Sequence, residues 1–489
     1  MLKVASCDRQ GAVYLDSDTA FRIVDRSHRD EVEAVLHSTA DLIPDYIVET
    51  RIETNPVLVK KLSCNPGDLL LGHRRVEYIS YPHEWCAEML KDAALFHLDL
   101  SLALLKKGLY LKDAHPWNIL FDGSNSVFID FTSIVNEETL FNEEYLQANT
   151  QYHKADKDIR LVRTIKEIFE RMFLPYFLVP LAGYFVYQPA MVKKRIEETT
   201  LNTTLDYFKW RELFFNLAIS RHTLKNLPKI LLLMIRMQHN AYSLIKHRDI
   251  AAYLNSMRTL VAEMIVARGA SGYSGYYSQK GEDQSPEYSE GWNDKQKGVY
   301  EAISKEGIKS VLDAACNTGW YARMAAKCGK NVVAFDIDEA SIEILYSKVK
   351  RTGENILPLV LNIMDPTTER LSIVDNNRVL IEAVDRLKAD SVLALGIIHH
   401  LVLGVGASID AVVDRLTVMS KKQLVVEFVS MEDEKIQAEP EFFHVYYQNP
   451  NVAQGYSLDA LLRSLGRFYS KIECKPSHPD TRTLVICEK

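Results

Sequence analysis

The chain has 489 residues, 47% hydrophobic, 25% charged and 10% aromatic, a composition that excludes wholesale disorder and fibrous repeats. At about 150 residues per domain, that length gives two to four domains, each able to bury a core. Lys and Arg total 58 against 65 for Asp and Glu, a formal charge of −7, with a pI near 6.1. This argues against a broad electrostatic footprint on nucleic acid, though a local basic patch fits the same total. The seven cysteines are scattered, with no Cys-x-x-Cys pair and no Cys/His cluster, so neither a disulfide framework nor a structural zinc site is expected.

In chain order, residues 1–110 form a strand-rich segment with a helix. GAVYL and AFRIV flank a polar DSDT turn and predict a hairpin; RDEVEAVL has helical spacing; VLVKKL and RRVEYISY read as strands. Residues 84–108 predict one helix or two, ended by Gly108. Residues 111–268 begin with a polar loop between apolar runs and become long and helical from 136 on. Residues 269–295, within a Gly-, Ser- and Tyr-rich stretch, read as a linker, or as a lid that its tyrosines and Trp292 would form over a neighbouring site. From 296 to 489 strands and helices alternate: SVLDAA, NVVAFDI, LPLVLNI, DSVLALGI and QLVVEFV are strands with helical runs between them. That pattern predicts a doubly wound parallel α/β sheet. FYSKIECKP and RTLVICEK, joined by a short loop, predict an antiparallel end to the sheet.

The N-terminus carries no apolar signal region, so a cytoplasmic protein is expected. The uncharged run Met172–Val192 has the length of a membrane span, but three prolines and a glycine interrupt it. A buried helical core is the expected reading, a hydrophobic substrate groove the lesser alternative, and no membrane span is expected.

The most informative constellation is VLDAACNTGWYA, 311–322. An apolar strand ends in Asp313, turns through small residues to Gly319 and enters a helix, and ligands bind outside the carboxyl ends of strands in such sheets. Asp336 ends the next strand, where a carboxylate can accept both hydroxyls of a ribose. The arrangement resembles class I S-adenosylmethionine-dependent methyltransferases over roughly the last 200 residues. That family's first motif is Asp/Glu-x-Gly-x-Gly-x-Gly; here Ala315 and Asn317 replace the first two glycines and Gly319 stays. The resemblance implies S-adenosylmethionine as cofactor, with Asp313, Ala315, Asn317 and Gly319 on its methionine side, Asp336 at the ribose and Asp365 near the adenine. It also places His399 and His400, after the fourth strand, at the acceptor mouth as candidate bases. The bland reading leaves one histidine packed on the sheet and the other bonded to backbone. Asp338 reads as a helix cap, and Glu427 and Asp433 as solvated loop acids or, less favoured, as residues that orient substrate. A dinucleotide-binding dehydrogenase is the competing fold, but Gly-x-Gly-x-x-Gly is absent.

A second constellation is LKDAHPWNILFDGSNSVFIDF, 111–131. Asp113, Asn118 and the later Asp130 resemble the catalytic loop of protein-kinase-like and aminoglycoside-phosphotransferase-like folds, with His115 and Pro116 matching the phosphotransferase variant. The resemblance implies a kinase-like α+β domain: a small lobe over 1–110, and a catalytic-loop segment and large helical lobe over 111–268. It also implies Asp113 as base and Asn118 and Asp130 as metal ligands for Mg-ATP. The departures lie in the nucleotide clamp. Residues 1–60 hold only Gly11, and the strand AFRIV carries Arg22 where a lysine belongs. Glu31 or Glu33 is the candidate helix partner, and Lys60 or Lys61 a substitute cation. The expectation is a scaffold with at most weak, magnesium-dependent nucleotide binding.

Together, KDAHPWNILFDG, DAACNTG and EFV-x-x-ED resemble a bacterial group of methyltransferases associated with nodulation host specificity. Bacterial polysaccharide chain terminators that couple a methyltransferase to a kinase are a second precedent, with the domain order reversed. What these resemblances imply is a methyltransferase of a small-molecule or saccharide acceptor. The alternatives are a bifunctional kinase–methyltransferase and an inactive binding scaffold.

Overall fold

A computed structural model describes residues 2–4, 13–43, 45–142, 156–184, 192–194, 196–197, 221–266, 271, 286–368, 370–371, 378–443, 449, 452 and 455–489. The chain divides into two compact units, residues 1–121, 126–268 and 372–379 forming one and residues 122–125, 269–371 and 380–489 the other.

The N-terminal unit is built on an antiparallel sheet of order β1-β2-β3-β5-β4. Its strands are β1 (Leu2–Val4), β2 (Val13–Leu15), β3 (Thr19–Val24), β4 (Thr50–Ile52) and β5 (Leu69–Arg74). The hairpin expected about the DSDT turn is present, with Val13 opposite Arg22 and Leu15 opposite Ala20. Two expected strands are not. VLVKKL lies in a helix, Pro56–Lys61, because Asn55 caps it by accepting from the Val57 amide and Pro56 occupies the first turn. RRVEYISY follows a strand instead of forming one; the pairing run is the apolar LLLGHR just before it. The helix Ala87–Leu105 is continuous, and Gly108 turns the chain at φ +68° into β6 (Leu109–Leu111), which pairs with β9 (Ile134–Asn136). Between them β7 (Ile119–Asp122) pairs with β8 (Asn125–Phe128).

The described part of the helical region comprises helices Glu137–Asn142, Lys157–Ile168, Val179–Gly183, Arg221–His247 and Ile250–Glu263. Residues 143–155, 185–191 and 198–220 lie outside the described residues. Within Met172–Val192, the widened helical turns over Phe169–Leu178 accommodate Pro175, whose missing amide breaks regular helix bonding. The segment 173–184 is almost wholly buried, and Phe169, Phe173 and Phe177 enclose the ring of His97. Burial pushes His97 down to about 3, with His115 nearby adding to it. This is the expected buried core. Among the described residues no helix is long and apolar enough to cross a membrane.

The C-terminal unit holds a seven-stranded sheet of order β12-β11-β10-β15-β16-β18-β17. Its strands are β10 (Ser310–Ala314), β11 (Asn331–Asp336), β12 (Ile356–Val360), β15 (Ala389–Ala394), β16 (Ser420–Val429), β17 (Lys471–Pro476) and β18 (Arg482–Glu488); β13 (Arg370–Leu371) and β14 (Arg378–Leu380) pair separately. The first five strands of the sheet run parallel, and β18 and β17 close it antiparallel. Every residue of β10 and β15 is buried, as central strands covered on both faces require. This matches the expected α/β sheet with an antiparallel end. The chain order reverses direction at β10, between β11 and β15, so the carboxyl ends of these strands open a crevice.

Candidate functional site

The turn after β10 shapes that crevice. Ala315, Asn317 and Gly319 all adopt left-handed backbone, at φ +58°, +52° and +75°. The two non-glycine positions thus hold the conformation that glycine serves without cost, a strain of about 1–2 kcal/mol for Ala315 and less for Asn317. The turn is held by the Cys316 amide on the Phe335 carbonyl, 3.0 Å, and the Gly319 amide on the Cys316 carbonyl, 2.9 Å. Asn317 accepts from the Thr318 amide at 2.7 Å. Glycine is obligatory at 319: a Cβ there would lie 2.5 Å from Leu345 Cδ1. Gly319 then opens the helix Trp320–Lys327.

Two carboxylates face the turn. Asp336, at the end of β11, accepts the Asn317 amide at 2.8 Å and the Asp338 amide at 2.9 Å, with the Ile337 amide also drawn to it, and a carboxylate has acceptor capacity beyond these for a ligand. Burial raises its pKa, against the pull of the Asp338 and Asn317 amides. Asp313 Oδ2 is buried with no hydrogen-bond partner. Burial pushes Asp313 up to about 7 and Asp336 adds to it, while the Ala322 amide and the Lys295 ammonium pull the other way. A carboxylate at this depth with one oxygen unpartnered is the feature a cationic ligand would satisfy. Asp365 is exposed on the turn after β12; that turn begins at Leu361, whose amide donates to the Asp336 carbonyl at 3.0 Å. Asp338 caps the helix Glu339–Thr352, as its bland reading anticipated.

Sequence reasoning singled out Trp292 and the tyrosines of the linker stretch but missed Ile337 and Lys295. Ile337, beside Asp336, is 67% exposed in a strand-end turn. Trp292 is buried against Trp320 at 5.3 Å, Tyr288 at 5.4 Å and Tyr300 at 5.7 Å. The end of the linker segment therefore packs beside the glycine turn. Residues 267–270 and 272–285 of that segment lie outside the described residues, and Ser271 donates to Asp338 at 2.6 Å. Lys295, in the helix Asp294–Ile303, sits 5.3 Å over the Tyr321 ring.

The region at the ends of β15 and β16 differs from expectation in one respect. Glu427 and Asp433 are not solvated loop acids. Glu427 is fully buried, one residue beyond the Ala394–Val426 register of β15 and β16. It accepts from Lys295 at 2.8 Å and Ser477 at 2.7 Å. Asp433 takes a two-pronged bond from Arg482, 2.8 and 3.2 Å, and one from Thr481 at 2.6 Å; these bonds hold it down at about 2 despite burial. Arg482, Lys295 and Ser477 come from distant parts of the sequence, so no local pattern announced them. The rings of His399 and His400 lie 4.1 Å apart, tilted by 47°, just after β15. Both ring nitrogens of His399 are buried without a partner. Burial drives His399 well below the usual imidazole range, with His400 adding to it, and takes His400 to about 4, helped by Lys435 and Arg482.

In the N-terminal unit the loop that follows β6 gathers Asp113, Asn118 and Asp130. Ser133 donates to Asp113 at 3.2 Å, and the Ile129 amide to the Asn118 carbonyl at 2.9 Å. Burial raises Asp113, His115 opposes this, and Asp130 reinforces it. Asn118 Nδ2 and His115 Nδ1 are buried without partners. Arg22 reaches from β3 to Asp130 at 3.0 Å and donates to the Thr132 hydroxyl. Of the other proposed clamp residues, Lys60 and Lys61 are exposed at a helix end, Glu33 pairs with Arg29 at 2.9 Å, and Glu31 keeps one buried oxygen without a partner.

No family model matches the chain. It is similar to nodulation protein NoeA of Rhizobium meliloti (strain 1021), 27% identical over 380 residues that span 75% of this chain and 72% of that one. Solved structures it is similar to include the N-methyltransferase NodS of Bradyrhizobium japonicum WM9, with 12% identity, 40% of this chain, 93% of that one and a TM-score of 0.27. Magnesium protoporphyrin IX methyltransferase (ChlM) of Synechocystis PCC 6803 is 12% identical over 40% of this chain and 80% of that one, TM-score 0.27. The bifunctional kinase-methyltransferase WbdD is 15% identical over 39% of this chain and 37% of that one, TM-score 0.28. Likenesses at this level identify no reaction.

Proposed function

We propose that the C-terminal unit is an S-adenosylmethionine-dependent methyltransferase for a small-molecule or saccharide acceptor, and that the N-terminal unit is a scaffold that presents substrate. The observation that carries the reading is the left-handed backbone at 315, 317 and 319, facing an Asp313 with one oxygen unpartnered and an Asp336 with acceptor capacity to spare. Alternating left-handed residues let a backbone approach a ligand closely without glycine at every step. A buried carboxylate beside them suits a ligand with a positive charge. The sheet supports this, with its doubly wound parallel core and antiparallel end.

These residues fit the cofactor. Asp313 and the 315–319 turn would hold its methionine side, Asp336 its ribose and Asp365 the adenine edge, while Ile337 offers an apolar wall for the base. When bound, the cofactor supplies a methyl group on a sulfonium, an excellent leaving group. The chain's part is then alignment, exclusion of water and handling of one proton. His399 or His400 takes the acceptor's proton. Burial holds both rings below the usual imidazole range, and His400 is the less enclosed. The Glu427–Lys295 and Asp433–Arg482 pairs fix the floor of the acceptor side.

Asp336→Ala should weaken S-adenosylmethionine binding about ten- to a hundredfold, because a buried hydrogen-bond pair loses its acceptor. Asp336→Asn, which keeps the shape, should lose less. Thermal shift with added cofactor reads both. Unchanged affinity in the alanine variant would remove Asp336 from the site. Cofactor binding without S-adenosylhomocysteine formation across broad acceptor panels would favour an inactive binding protein instead.

A further inference from the structure

We propose that Arg22 is the resident cation of the N-terminal site, standing in place of a divalent ion, so that this site takes no magnesium nucleotide. The resemblance to kinase-like folds implies a metal held by Asn118 and Asp130, and the residues present do not fit one. Asp130 Oδ1 already receives the Arg22 guanidinium at 3.0 Å and the Thr132 hydroxyl at 3.0 Å. Arg22 also donates to that hydroxyl, so the three groups close into a triangle in which Arg22 and Thr132 are buried and Asp130 is partly so. Asp113, the remaining carboxylate, is engaged by Ser133 at 3.2 Å. A divalent ion would have to displace a fixed, always-charged side chain or sit against it, and like charges at that separation repel strongly in a buried setting. Among the described residues no group of three or more His, Cys, Asp or Glu is placed to hold a metal ion.

Arg22 occupies the strand position where these folds carry the lysine that clamps nucleotide phosphates. Here that cation is turned onto the protein's own metal-ligand carboxylate. One side chain therefore removes both the clamp and the metal site while tying β3 to the 130–133 turn. The loop residues Asp113, Asn118 and Asp130 persist as parts of a neutralised structural cluster. This deepens the scaffold reading of the N-terminal unit and rests on it. The test reads metal uptake and melting, not methyl transfer, so the two readings fail separately.

The test uses the full chain, with Mn2+ as probe followed by electron paramagnetic resonance, with and without a non-hydrolysable ATP analogue. Wild type should show no Asp130-dependent uptake of Mn2+. Arg22→Gln should gain one bound Mn2+ per chain, and adding Asp130→Asn should abolish it. Thermal melts keep the proposal falsifiable if Arg22→Gln folds poorly. Each single variant leaves one buried charge unpaired, so the Arg22→Gln/Asp130→Asn double variant should melt higher than either single. Asp130-dependent Mn2+ uptake in the wild type, no uptake by a folded Arg22→Gln, or simply additive melting losses would overturn it.

Discussion

Truncating Glu427 to alanine is expected to destabilise the C-terminal unit by about 3–5 kcal/mol, the cost of stripping one partner from a buried ion pair. Glu427 is fully enclosed; Lys295 at 2.8 Å depends on it for charge compensation, while Arg482 at 3.8 Å is held chiefly by Asp433. Ser477 would lose its acceptor as well. The loss comes mostly from the Lys295 charge left behind, so Glu427→Gln, which keeps the shape and one acceptor oxygen but no charge, should fall between wild type and alanine. Denaturant unfolding measures it, and the contrast with an exposed pair sharpens it. Removing Asp410, which meets Arg467 at the surface, should leave the midpoint nearly unmoved. A Glu427→Ala protein as stable as wild type would mean that the buried network contributes nothing net. Because Glu427 also lies just under Gly396, whose missing Cβ would approach its Oε2 to 3.4 Å, the variant should loosen the loop that leads to His399 and His400.

Cofactor affinity is expected to fall as pH is lowered below about 7, by up to about tenfold per unit. The sign follows from Asp313. Burial raises its pKa to about 7, so near neutrality the empty site holds its proton about half the time. A cationic ligand favours the ionised form, and below pH 7 it must first displace the proton. Binding at neutral pH should therefore release a fraction of a proton, visible as a buffer-dependent heat. Asp313→Asn should flatten the profile at the weak, low-pH affinity. The same shift runs the other way for the free protein: a folded pKa above the unfolded value of 3.8 means Asp313 costs stability as pH rises from about 4 to about 7. Tighter cofactor binding at acid pH would contradict the placing of Asp313 beside a positive charge.

How much of this the sequence carries depends on whether the signal is local. The alternation from Ser310 to Val429 is legible because buried parallel strands are short apolar runs between helices of 3.6-residue period, and spacing alone puts Asp313 and Asp336 at adjacent strand ends. The turn between them is legible only in part. That Asn317 tolerates left-handed backbone follows from its type, whereas the strain at Ala315 appears only in coordinates. VLVKKL misleads because its β-branched residues favour a strand, while a cap and a proline one residue upstream decide the matter. Glu427 and Asp433 look solvated in a run of acids, since the cations that bury them come from 132 and 49 residues away. Arg22 is visible as a departure from the lysine expected there, but its grip on the 130–133 turn, across 110 residues to Thr132, is a property of the fold.

Calorimetric titration of the full chain with S-adenosylhomocysteine, run beside an identical titration with NADH, tests the central claim most directly. The cofactor product should bind one per chain, and NADH should give no comparable heat. Selective binding of NADH, or no binding of S-adenosylhomocysteine by folded protein, would contradict the methyltransferase reading.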